Sequence, residues 1–205
     1  MIFFRKYLIP CKRYLDKTLL SPNISFINMS YYSKTAKSEA KRIVWVDLEM
    51  TGLDIEKDHI LEIACLVTDA NLDIIAKGPN IIIHQSDEIL KNMNECRRSK
   101  TSLKDAEKEI LTFVKSHAPE KKCPLGGNSV YMDRLFLRKY MPDLDSYLHY
   151  RIVDVSTIKE LAKRWYRKEY SNLPQKEFQH RCLRDIEESI EELKYYKENI
   201  FKPSI

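Results

Sequence analysis

Long apolar runs are missing from these 205 residues. No segment approaches the roughly 20 consecutive apolar residues that a membrane-spanning helix requires, which excludes such a helix. Paired cysteines are missing as well. The five present (Cys11, Cys65, Cys96, Cys123, Cys182) are an odd number with no CxxC spacing, which speaks against a disulfide framework or a zinc knuckle and fits a reducing compartment. Glycines number only four, and there is no internal repeat or low-complexity tract. Acids are nearly absent from residues 1–37, where Asp16 stands against seven basic side chains. That stretch carries +6, so the rest of the chain sums to −1 within the total of +5. The basic balance belongs to the leader and gives no nucleic-acid argument for the remainder.

What is there divides in two. Residues 1–40 are basic, poor in acids and supplied with hydroxyls and aromatics, the composition of a presequence and specifically of a mitochondrial transit peptide. Lys6, Lys12 and Arg13 interrupt any secretory h-region; an N-terminal arm with no address is the alternative. The expected location is the mitochondrial matrix, with the cytoplasm second. Residues 41–205 are expected to form one domain.

Within that domain, residues 42–48 read as a strand ending in a carboxylate and a Thr-Gly turn. Residues 60–69 and 72–83 are two further strands joined at Ala70-Asn71, an antiparallel hairpin. Helical spacing over 102–117 starts at Ser102, with Asp105 three positions beyond it. A short strand ending at 124–128, a helix over 131–140, a compact stretch to Tyr150, a strand at 151–154 and a helix at 155–168 capped by Asp154 or Ser156 follow. A polar connector spans 169–179 and the last helix covers 180–197. The order predicts an α/β mixed sheet of about five strands flanked by helices. Lys41, Arg42 and the charge-rich last helix read as solvated surface; Trp45, Trp165, Tyr195 and Tyr196 read as core or dimer contacts.

Three constellations carry chemistry. Asp47 and Glu49 are two apart on a strand, so both carboxylates point to one face. At an effective dielectric near 20, two ionised acids about 4 Å apart repel by about 4 kcal/mol, and a divalent cation is the simplest compensation. Asp133 opens a helix after a Gly-Asn-Ser turn, where an acid also suits the helix dipole. His180 and Asp185 lie five apart, about 140° around a helix; they can flank a groove if the histidine precedes the regular turns.

DxE on the first strand, Asp at a helix start after Gly-Asn-Ser, and HxxxxD on the last helix resemble the signature of the DEDDh 3′→5′ exonucleases of the ribonuclease-H-like superfamily. The strings WVDLEMTGL (45–53), ILEIA (60–64), GNS (127–129), HYRIVDVSTIKELAKRWY (149–166) and ESIEELKYY (188–196) are similar to those of the oligoribonuclease family. The resemblance covers residues 42–203. It implies that Asp47, Glu49, Asp133 and Asp185 hold two Mg²⁺ or Mn²⁺ ions, hard cations that prefer oxygen ligands. It implies His180 as the general base toward the attacking water. It implies short single-stranded RNA as substrate, dinucleotides upward, with nucleoside 5′-monophosphates as products. Leu53 would wedge between the two bases; Ser129, Arg151, Ser156 and Thr157 would cap the 5′ phosphate. Tyr150 would reach the scissile site from the partner in a homodimer.

One segment departs from the family. After residues 83–95 the family continues with a Trp and a loop containing histidines, whereas this chain passes through Cys96 to Lys100 directly into the next helix. The metal-binding acids and His180 are untouched; the wall of the base pocket is not. Two other readings stay open on the residues. One is a DNA-directed exonuclease of the same superfamily, which would degrade a long DNA primer as fast as a diribonucleotide. The other is a weakly active isoform that binds short RNA or only dimerises.

Overall fold

The first strand sorts its side chains by a period of two, and that sorting lays out the domain. The computed structural model describes residues 37–86, 96, 98–174 and 181–202. In strand β1 (Ile43–Met50), Val44, Val46 and Leu48 enter one apolar cluster and Trp45 enters another on the opposite face. Strands β2 (Ile60–Thr68) and β3 (Ile74–Ile82) continue from β1 as antiparallel neighbours. The β2–β3 connection is organised by Asp69, whose carboxylate accepts from the N–H groups of Asn71 and Asp73, with Leu72 buried at φ 75°. Helix α1 (Leu103–His117) is capped by Ser102 accepting from the Asp105 N–H, as its spacing predicts.

Strand β4 (Leu125–Gly127) joins β1 in parallel, followed by α2 (Tyr131–Tyr140) and α3 (Pro142–Tyr147). Strand β5 (Ile152–Asp154) lies parallel to β4, and α4 (Val155–Trp165), α5 (Arg167–Ser171) and α6 (Cys182–Asn199) complete the described chain. The sheet order is β3-β2-β1-β4-β5, the expected five-stranded mixed sheet. Side chains of α1, α2 and α3 cover one face around Ile110, Val114, Phe136, Leu137 and Leu144. On the other face Trp45, Ala64 and Leu66 meet Val155 and Ala162 of α4 and Cys182, Ile186, Ile190 and Tyr196 of α6. β1 is therefore central, between helices on both faces. No described helix is long and apolar enough to cross a membrane.

Four expectations need correction or qualification. The helix expected over 155–168 is two, because Tyr166 leaves helical backbone (φ −129°, ψ 57°) and its N–H closes α4 on the Ala162 carbonyl. Arg-Lys-Glu follows and opens a second short helix, so α5 occupies the start of the expected connector. Trp165 is 68% exposed and is not core, whereas Trp45 and Tyr196 are fully buried. The last helix is not uniformly solvated: Glu188 and Glu192 are buried, and Glu192 accepts from Tyr196 Oη at 2.9 Å and faces Lys159 Nζ at 3.4 Å. Arg42, read as surface, is half-buried and donates to the His117 carbonyl. Nearly all of the expected presequence, and His180, lie outside the described residues.

Candidate metal and nuclease centre

Asp47 and Glu49 stand on the Trp45 face of β1, beneath the first turn of α6. That turn is held down by Cys182 and Ile186, both buried, and Asp185 is three residues beyond Cys182, on the adjoining part of the same helix surface. One ligand atom each of Asp47, Glu49 and the Cys182 thiol lie within 4.8 Å of one another. Asp133 arrives from the opposite direction, in the first turn of α2. It is buried, and its Oδ1 accepts the Leu48 backbone N–H at 2.9 Å, between the two β1 acids.

The electrostatics place all four acids in one field. Burial raises the Asp47 carboxyl to about 8, and the charges of Asp133, Asp185 and Glu49 push in the same direction while a hydrogen bond from the Cys182 thiol opposes them. Asp133 is raised to about 7, first by burial and then by Asp154 and Glu49, against the lowering effect of backbone N–H groups including that of Leu48. Cys182, absent from the sequence-based set, is the neighbour that reasoning missed; its signal was the three-residue spacing to Asp185. Burial and the Asp47, Glu62 and Glu49 charges drive its pKa upward. Without a cation the thiol is therefore protonated and donates to Asp47. The carboxylate oxygens of the centre are crowded enough to repel one another, a donor set that fits a divalent cation.

The other predicted residues fall into two groups. Leu53, 66% exposed, stands in a loop closed by Asp58, which accepts from Thr51 Oγ1 and the Asp54 N–H. A Cβ at Gly52 would lie 2.4 Å from the Asp58 carboxylate, so only glycine permits this closure. Ser129, at φ 53°, sits against Ser156, and its N–H donates to Asp154 Oδ1 at 3.0 Å. Ser156 also gives its N–H and its hydroxyl to Asp154. A phosphate at this place must therefore take these donors from a carboxylate. Thr157 is exposed in the next position of α4. Arg151 and Tyr150 are exposed, the latter by 75%, with the guanidinium 5.5 Å from the Tyr150 ring centroid.

Comparison with known proteins gives the family. The family described as "Exonuclease" (RNase_T) matches residues 44–193. The mitochondrial oligoribonuclease of Homo sapiens is 52% identical, covering 82% of this chain and 77% of that protein. A probable oligoribonuclease of Dictyostelium discoideum is 54% identical over 84% of this chain and 97% of its own length. The human alignment runs over 183 positions but takes up about 168 residues of this chain, that is 82% of 205, in keeping with a segment missing here. Escherichia coli exonuclease I, solved with a dA16 oligonucleotide, superposes with a TM-score of 0.59 at 14% identity. It covers 78% of this chain, but the chain spans only 41% of that protein's length, so the likeness concerns the fold. Identity above 50% to oligoribonucleases over most of the chain decides the family: the chain belongs to the oligoribonucleases, hydrolytic nucleases of the exonuclease superfamily.

Proposed function

We propose that this protein is a 3′→5′ exoribonuclease that degrades very short RNA, dinucleotides upward, to nucleoside 5′-monophosphates. The observation that supports the reading most is that Asp47 and Glu49 share one face of β1 while Asp133 of α2 binds the Leu48 N–H between them and Asp185 of α6 adds its charge at Asp47. These four side chains would hold two Mg²⁺ or Mn²⁺ ions. When bound, such ions supply charge stabilisation for the attacking and leaving oxygens of an in-line phosphoryl displacement.

The chain's own residues do the rest. His180, outside the described residues, takes the proton of the attacking water on an imidazole nitrogen. Cys182 keeps the Asp47 carboxylate oriented through its thiol hydrogen. Leu53 wedges between bases, and Ser129, Arg151, Ser156 and Thr157 bind the 5′ phosphate. Tyr150 acts across a homodimer; its exposure, together with the exposed apolar side chains Leu161, Trp165, Tyr166 and Phe201, supports an unfilled contact surface. The mitochondrial names of mammalian relatives and the basic leader, residues 1–40, support import into mitochondria.

A second reading has its own observation. The positions present in the human relative and missing here favour an isoform with a weakened base pocket. Replacement of His180 by Ala tests the main reading: turnover should fall by about 10²–10⁴ while Mn²⁺ affinity stays unchanged. Turnover like that of the wild type removes histidine from the mechanism.

A further inference from the structure

Arg134 follows Asp133 on α2, and the two side chains leave the helix for different targets. Asp133 turns to the backbone of β1 at Leu48. Arg134 is buried, 8% exposed. Its Nη1 donates to the His149 carbonyl at 2.9 Å and its Nη2 to the Asp145 carbonyl at 3.2 Å. Its Nε is paired with the Asp145 carboxylate, which Arg138 Nε approaches at 3.6 Å on the other oxygen. The guanidinium fork is thus committed to the carbonyl and carboxylate of Asp145 in α3 and to the His149 carbonyl on the segment between α3 and β5. Burying a charged group carries a desolvation cost of several kcal/mol, and an apolar side chain of similar volume would fill the space without it. What the planar fork adds is directional constraint on the backbone it grips.

The gripped backbone is the one next to the exposed pair. His149 is held from inside by Arg134, and its outward ring accepts the Arg151 backbone N–H on Nδ1 at 3.1 Å. The same ring stacks on Tyr150 with centroids 4.5 Å apart. We propose that Arg134 is a positioning residue that fixes His149, and through it the orientation in which Tyr150 and Arg151 are presented to substrate. Two consecutive residues of one helix then serve the site in different ways: Asp133 among the acids and Arg134 through the substrate-contact segment. This inference rests on the reading of Tyr150 and Arg151 as substrate contacts.

The test is Arg134→Lys in the full chain, which keeps a charge beside Asp145 but cannot serve both carbonyls. Three quantities are compared with the wild type under saturating Mn²⁺: KM and kcat on a 5′-phosphorylated diribonucleotide, Mn²⁺ affinity by calorimetry, and amide hydrogen exchange over residues 148–152. A misplacement near 1 Å is enough to cost up to about a hundredfold, so KM should rise at least tenfold. Exchange over 148–152 should quicken by about tenfold, with Mn²⁺ affinity unchanged within twofold. Should Arg134→Lys not fold, Asp145→Asn, which loosens the same fork, must give the same split. Unchanged KM and exchange overturn the proposal, as does a parallel loss of Mn²⁺ affinity, the mark of a general structural role. Arg151→Ala separates the underlying reading: if its KM is unchanged, the substrate-contact assignment fails, while hydrogen exchange in Arg134→Lys still decides whether Arg134 fixes the segment.

Discussion

The Asp133 carboxylate accepts the Leu48 backbone N–H at 2.9 Å, although 85 residues separate the two. The register of β4 against β1 covers only Val44 and Trp45, so beyond that point β1 has no strand neighbour on that side. Asp133 supplies the acceptor that a longer strand would have supplied. One bond thereby places an acid of α2 between the two acids of β1.

Replacements of Asp133 separate its two roles. Asp133→Asn keeps an oxygen for the Leu48 N–H and removes a buried carboxylate raised to about 7. Its metal-free melting temperature at pH 8 should be no lower than that of the wild type, while turnover falls by at least about a hundredfold. Asp133→Leu leaves the buried N–H without an acceptor and should cost about 1–3 kcal/mol of stability. Melting curves and turnover on the two variants check both statements.

Without metal, stability should depend on pH in an unusual direction. Asp47 titrates near 8 in the fold against 3.8 as its ordinary value, so between these pH values the native state holds a proton that the unfolded chain has released. The corresponding stability is complete below pH 3.8 and is lost as pH rises through 8. Metal-free protein should therefore gain roughly 2–4 kcal/mol on going from pH 8 to pH 5. Mn²⁺ should raise the melting temperature strongly at pH 8 and little at pH 5, because ions compete with those protons. Flat curves without metal would contradict the burial of the acids.

Cys182 should behave as a donor, not as a reactive thiol. Its burial and raised pKa predict that disulfide reagents fail to modify it in the native protein and do so on unfolding. Cys182→Ala removes the hydrogen bond that lowers the Asp47 pKa. Mn²⁺ binding should then weaken several-fold at pH 7, with its pH dependence moved upward, as calorimetry at several pH values would show. Unaltered binding would remove the thiol from the centre.

Local patterns made much of this legible from residues alone. Alternation on β1 was enough to put Asp47 and Glu49 on one face, and the apolar runs were enough to define five strands. Ser102 and Asp154 announced their helices because a cap is a contact between near neighbours. What escaped depends on contacts across the fold. The Asp133–Leu48 bond follows from β4 being short, and the burial of Glu188 and Glu192 from how α6 lies on the sheet. The bond from the Ser129 N–H to Asp154 was invisible for the same reason, since the turn before α2 meets the start of α4 only in three dimensions.

The central claim is that the four carboxylates of β1, α2 and α6 run hydrolysis of short RNA with divalent ions. Incubation of the purified chain with a 5′-phosphorylated diribonucleotide and Mn²⁺, beside the Asp47→Asn variant, tests it most directly. The expected result is release of nucleoside 5′-monophosphates by the wild type, abolished by chelator and reduced at least about a hundredfold in the variant. Equal product formation by Asp47→Asn, or undiminished turnover in chelator, would contradict it.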